Sequence, residues 1–208
     1  MKIKTLFLIG LFCVVTGCAG PQLAMNPGAT KLIERTPDKK PDWVDWAQTA
    51  KIEKDRHLFV GVVKDRADFA LTVREAGIEA TKIVMEQLVR ELNGSLRSSV
   101  AGQNIGDDLG RSIQDIFVQE SRNVRLTGLV QRERFVERWA EGTVGGQRTI
   151  YHGWVLMEIG KPDFLAAKQA LLDLAAGRAR EGRNAVAQRL LEEFRAEIKS
   201  SRETARQP

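Results

Sequence analysis

Beyond Cys18 the chain contains no cysteine, so whatever folds from the rest is held by an apolar core alone, without a disulfide. About 170 residues follow the first forty, enough for one domain to bury about two-thirds of its unfolded surface. The core must therefore be found in hydrophobic periodicity, and the segments that lack it can be set aside first.

The first of these is the N-terminus. Lys2 and Lys4 precede an uncharged stretch from Thr5 to Gly17 rich in Leu, Ile, Phe and Val. It is shorter than the roughly 20 residues a membrane span requires, and it gives way at once to Ala19, Gly20 and Pro21. A basic start, a short apolar centre and small residues before a cysteine read as an export signal, residues 1–17, to be excluded from the fold. Val15-Thr16-Gly17-Cys18 resembles a lipobox: the small pair admits a peptidase, and the thiol accepts diacylglycerol. Cys18 is thus the expected lipidation site. Several palmitate-like chains, at about 0.8 kcal/mol per buried methylene, make a stable membrane anchor. Ala19 stands where an aspartate would resemble an inner-membrane retention signal, which points to the outer membrane with the domain facing the periplasm.

Residues 18–40 hold three prolines, no aromatic residue and no apolar period. They read as a flexible tether reaching on the order of 25 Å. Loss of Lys2 and Lys4 takes the basic count from 32 to 30 against 27 acidic residues, a net +3. No basic run is interleaved with stacking aromatics, so nucleic acid is not an expected partner.

The folded part opens at Trp43 and Trp46, two indoles expected to lie on the core. His57 to Val63 is short, β-branched and apolar, a buried strand in which Gly61 marks a close approach of another backbone. From Asp68 to Asn93, Val73, Ala76, Ala80, Val84, Leu88 and Leu92 recur at helical spacing, and Asn93-Gly94 ends the pattern. Small Ala76, Gly77 and Ala80 would let this helix lie close on a sheet. A second helix begins at Asp107 or Asp108, with Ile113 and Phe117 on its inner face, and ends near Arg122 or Asn123. A bent strand over 124–139, a turn at 142–146 and a strand from Arg148 to Ile159 form a hairpin. Pro162 opens another helix, interrupted at Gly177 and Gly182. After Asn184, Val186, Leu190, Phe194 and Ile198 line a last amphipathic helix.

The expected fold class is α+β, a small antiparallel sheet packed by helices with a C-terminal helical extension. Four segments result: signal peptide 1–17, tether 18–40, an α+β domain 41–160 and the extension 161–208. From Arg178 to Pro208 eight basic residues face five acidic ones, so the tail carries the whole net surplus. This tail either docks on a partner or an acidic envelope surface, or folds back on its own domain.

The proline before Trp43, the strand ending Val60-Gly61-Val62, the Ala76–Ala80 spacing and the closing strand Tyr151 to Ile159 resemble the LPP-twenty family of small bacterial lipoproteins. The resemblance covers roughly residues 41 to 160. The family in turn loosely resembles the amino-terminal domain of a flagellar T-ring assembly protein. It implies a structural or assembly role in an envelope machine such as the flagellar basal body, with an envelope protein partner or a homo-oligomer. It brings no catalytic residues.

The chemistry agrees with a non-enzymatic reading. His57 and His152 are the only histidines, without further ligands at metal-binding spacing, so neither metal nor cofactor is expected. A nucleophile elbow, a phosphate-cradling loop and a catalytic cysteine are all missing from the sequence. Glu133, Glu137 and Glu141 suggest paired carboxylates for sugar chemistry, but they alternate with Arg132, Arg134 and Arg138 and read as a salt-bridged, solvated strand face. The alternative role is a regulator or binder of peptidoglycan or its synthases.

Overall fold

The structure, a computed structural model, describes residues 25–47, 50–99 and 107–204. The signal segment 1–17, Cys18 and the start of the tether lie outside them. Five strands form one antiparallel sheet: β1 (Thr30–Thr36), β2 (Ala50–Glu53), β3 (Arg56–Arg66), β4 (Val130–Thr143) and β5 (Gly146–Gly160). Their order is β1-β4-β5-β3-β2. Four helices complete the fold: α1 (Phe69–Ser99), α2 (Asp107–Ser121), α3 (Lys161–Glu181) and α4 (Ala185–Thr204). The α+β class is therefore as expected.

β3 forms because Leu58, Phe59, Val60 and Val63 are all buried, a run that only a strand covered on both faces can hide. α1 starts at Asp68, whose carboxylate accepts the backbone N–H of Leu71 at 2.7 Å. Its buried stripe, Ala76, Ala80, Val84, Leu88, Leu92 and Leu96, repeats every four residues. The stripe carries the helix past the expected stop at Asn93-Gly94. Gly94 faces open space and costs about 1 kcal/mol in a helix interior, whereas burying Leu96 contributes about 1.5–3 kcal/mol. The burial wins.

The close approach foreseen at Gly61 is real. A Cβ there would stand 2.0 Å from the Ala76 carbonyl oxygen and 2.3 Å from the Ala80 nitrogen, so α1 and β3 touch backbone to backbone. At Gly153 of β5 a Cβ would come within 2.6 Å of the Thr72 methyl group. Together these glycines form the bed in which the first half of α1 lies. The other sheet face is covered by a single 3-10 turn (Asp42–Trp46), which lays Trp43 and Val44 over Leu58, Val60, Phe135, Trp154 and Leu156.

Three expectations are corrected. The tether reading misses β1, which pairs with β4 from Thr30↔Glu141 to Thr36↔Val136 across a bulge at Leu32/Glu34. Six of its seven residues are exposed, so it has no apolar period to read; backbone pairing and the Arg35–Glu137 and Arg138–Glu34 ion pairs hold it. β2 was not expected either, for the same reason: it is a four-residue edge with Ile52 exposed. β4 occupies 130–143, not 124–139, and the turn contracts to Val144-Gly145. Val124, Leu126 and Leu129 are apolar because a connecting loop packs them against the helical core, and with polar neighbours between them they imitate a strand.

Over 161–208 the second of the two readings applies, a tail folded back on its own domain, with no interruption at Gly177. α3 runs through Gly177, and its Leu171, Leu172, Ala175 and Ala179 join Ile113 and Phe117 of α2 and Leu88 and Leu92 of α1 in one cluster. α4, capped by the Asn184 side chain on the Ala187 N–H at 3.0 Å, adds Ala187, Leu190, Leu191 and Phe194. Val186 is exposed, so the inner face is turned from the one expected; the Ile198 side chain lies outside the described residues. The C-terminal helices are part of the core shared with α1 and α2.

Two predictions follow from this packing. Leu190, Leu191 and Phe194 together stabilise the fold by about 5–9 kcal/mol on burial, comparable with the whole stability of a domain. A chain ending at Ala176 is expected to lose its cooperative melting transition; a truncated protein that melts like the full chain would show that α4 is dispensable. Gly61→Val should cost about 3 kcal/mol through overpacking against backbone that cannot retreat, a fall of roughly 6–12 °C in Tm. Calorimetry showing an unchanged transition would disprove the backbone contact.

Candidate functional site

The residues nominated from sequence do not converge. His57, on β3, faces the helical layer and is buried, its ring stacked on Phe164 at 4.1 Å between centroids. Burial holds its pKa below the ordinary histidine value; Glu91 opposes this, while Lys161 and Lys168 reinforce it. His152, on β5, sits on the opposite sheet face. Its Nε2 lies 3.1 Å from the Asp65 carboxylate and its ring stacks on Trp139 at 5.7 Å. Among the described residues no group of three or more His, Cys, Asp and Glu is arranged to hold a metal ion.

Glu133, Glu137 and Glu141 share one face of β4 at intervals of four residues, which separates neighbours by roughly 13 Å along the strand. That exceeds the about 5–9.5 Å between the carboxylates of glycoside hydrolases. Each is committed elsewhere: Glu133 accepts from the Trp43 indole at 2.6 Å, and Glu141 pairs with Arg148 at 2.6 Å. Glu137 departs from the solvated face expected of it. It is only 8% exposed, with Arg35 Nε at 3.1 Å on one oxygen and Trp139 Nε1 at 3.1 Å on the other. β1, the strand missing from the sequence reading, supplies the arginine and so explains the burial.

An extended concave surface lies along α1. Beside the core stripe runs a second row at the same four-residue spacing, Val73, Gly77, Thr81, Met85 and Val89, each half-buried. At its N-terminal end the row is walled by Gln131 and Arg134 of β4 and Met157 of β5, enclosing about 430 Å³. At its C-terminal end the wall is α2, through Gln114 and Val118, with Arg122 just past its end, enclosing about 1010 Å³. Ile78 and Thr81 line both halves, which makes one trough. Ile78 is 47% and Val118 46% exposed, large apolar side chains that a closed core would have covered. Its margin carries Arg74, Lys82, Arg90, Arg97, Arg122 and Arg134 against a single carboxylate, Glu86. Arg134 sits over the Phe69 ring at 5.9 Å.

Sequence reasoning missed this surface. The signal was present as an apolar arc on α1 wider than one packing contact needs, yet one helix period hides two rows that face different neighbours.

No family model, curated protein or solved structure matches the chain. Among the described residues no helix is long and apolar enough to cross a membrane.

The buried imidazole yields a prediction about acid. His57 is neutral in the fold, with a pKa lowered by burial, while in the unfolded chain it titrates near 6.5. Above that pH both states are neutral. As pH falls below about 6.5 the unfolded chain takes up a proton that the fold resists, so stability drops until the folded pKa is passed. Urea midpoints measured from pH 7 to pH 5 should therefore fall less steeply for His57→Phe than for the wild type. Parallel slopes in the two proteins would show that His57 carries no such penalty.

Proposed function

We propose that this protein is a non-enzymatic lipoprotein, anchored to the outer membrane through acyl chains on Cys18 and facing the periplasm, that serves as a structural or assembly subunit of an envelope machine. The resemblance to the LPP-twenty family suggests the flagellar apparatus as one such machine. The N-terminal pattern from Lys2 to Cys18 supports the anchor. The trough along α1 carries the rest: exposed apolar surface rimmed by charge is the usual mark of a macromolecular contact, and its basic margin favours an acidic partner.

A second reading, a binder or regulator of peptidoglycan, draws on the ledge formed by Trp139 and His152 beside Arg35 and Glu137. Aromatic rings next to paired charges suit sugar faces and peptide carboxylates. Trp139 and His152 are half-buried and Trp139 gives its N–H to Glu137, so this surface is smaller and more self-satisfied than the trough.

Two measurements test the proposal. Cys18→Ser should leave an unacylated precursor that does not mature, seen in the intact mass; a soluble wild-type protein with an unmodified Cys18 would sink the anchor. A photo-crosslinking residue at Ile78 should capture an envelope protein in intact cells. Adducts on purified cell-wall sacculi, from a probe at Trp139 and not at Ile78, would favour the second reading.

A further inference from the structure

We propose that the occupant of the trough is an acidic amphipathic α-helix of a partner protein, an assignment that rests on the docking role given to this surface above. The shape comes first. Val73, Gly77, Thr81, Met85 and Val89 form an i, i+4 row, the ridge that helices use when they pack at about −50° with axes 8–10 Å apart. The row extends over about 17 residues, about 24 Å at 1.5 Å per step, the length of a partner helix of four to five turns. At its centre Gly77 and Thr81 are small, and nothing lies within 4 Å of where a Cβ on Gly77 would be. The Thr81 hydroxyl is already bonded to the Gly77 carbonyl at 2.9 Å, so it presents its methyl group without an unsatisfied polar atom. Larger Met85 and Val89 follow, and methionine adapts its shape to what it meets.

Charge then selects among occupants. Six basic side chains and one carboxylate border the row. Lys82 is paired with Glu79, but among the described residues Arg74, Arg90, Arg97 and Arg122 pair with no carboxylate. A helix with an apolar stripe for the row and Asp or Glu on its flanks would satisfy both features at once. An anionic bilayer would answer the arginines but not the concave periodic floor, which is lined by side chains on both walls. A nucleic acid would answer the charge and leave Ile78 and Val118 against a polar backbone.

The test uses the full, acylated chain in detergent and three labelled 18-residue amphipathic peptides. They share one apolar stripe and carry acidic, neutral or basic flanks. Fluorescence anisotropy should give an affinity for the acidic peptide roughly tenfold or more above the neutral one, weakening with salt. The basic peptide should not bind. Thr81→Trp, which fills the centre of the row, should abolish binding at an unchanged Tm. The double substitution R90E/R97E should reverse the preference toward the basic peptide. Equal affinity for all three peptides would overturn the assignment, as would a double variant that still prefers the acidic one. Co-sedimentation with phosphatidylglycerol vesicles that is lost in R90E/R97E, while no peptide binds, would assign the trough to lipid instead. The crosslink from Ile78 separates the two levels. A captured envelope protein whose contact segment is not an acidic helix leaves the docking role standing and removes the helix, whereas the absence of any protein adduct removes both.

Discussion

The contact on which the rest of the molecule depends is the one where α1 meets β3 without side chains between them. Gly61 has no Cβ because the Ala76 carbonyl and the Ala80 amide occupy its place. So tight a fit fixes the height of α1 above the sheet and also its rotation. With Ala76 and Ala80 turned to the sheet, the same four-residue stripe continues through Val84, Leu88, Leu92 and Leu96 into the helical layer beyond the sheet's edge. One helix thus serves two cores, and α2, α3 and α4 assemble around its second half. The rotation also decides what stays outside: the row one residue over, from Val73 to Val89, is left half-covered between the sheet and α2.

The two sheet faces differ in kind as a result. One is closed by a 31-residue helix and its partners. The other has, among the described residues, a 3-10 turn and the ledge around Trp139 and His152. On that thinner side the buried polar atoms are satisfied by pairing. Glu137 has both oxygens occupied by Arg35 and Trp139, and no buried side-chain nitrogen or oxygen among the described residues lacks a partner. A carboxylate so enclosed is a structural device, since removing either donor would leave charge under low dielectric at a cost of several kcal/mol.

What the amino-acid sequence reveals of this fold is whatever the two periods can express. β3, the core stripe of α1, the hairpin of β4 and β5 and the helices after Pro162 are legible because burial on one face writes itself as a spacing of two or four. β1 and β2 are edge strands held by backbone pairing with exposed side chains, and pairing leaves no trace in a hydrophobic pattern. Gly94 was misread because a local penalty looks decisive until it is weighed against Leu96, which only the tertiary contact buries. Val124 to Leu129 show the reverse error, a loop that is read as a strand because its apolar residues pack on a core. Of the trough's row the sequence reading named Val73 and Gly77 and took both for packing, and on the other face Glu137 needed an arginine from a strand that had no signature.

Charge was legible in total and misplaced in space. The surplus counted between Arg178 and Pro208 marks the tail as the basic element, yet in the structure its arginines are dispersed among carboxylates. Arg195 meets Asp173 at 2.6 Å, Arg180 meets Glu192, and Arg189 meets Glu193. Exposed pairs of this kind contribute little to stability, but they intersperse the two signs over α3 and α4. The trough, by contrast, gathers six basic groups and one acidic group around α1, more than the net +3 carried by residues 18–208. The remainder of the molecule is therefore slightly acidic, and its positive field is concentrated over an apolar floor. Solubility alone does not call for that arrangement, since interspersed signs serve it better. An apolar surface such as Ile78 and Val118 tends toward unspecific association, and a ring of arginines restricts it to partners of opposite charge, because a basic or neutral surface would strip water from these guanidinium groups without returning a partner to them.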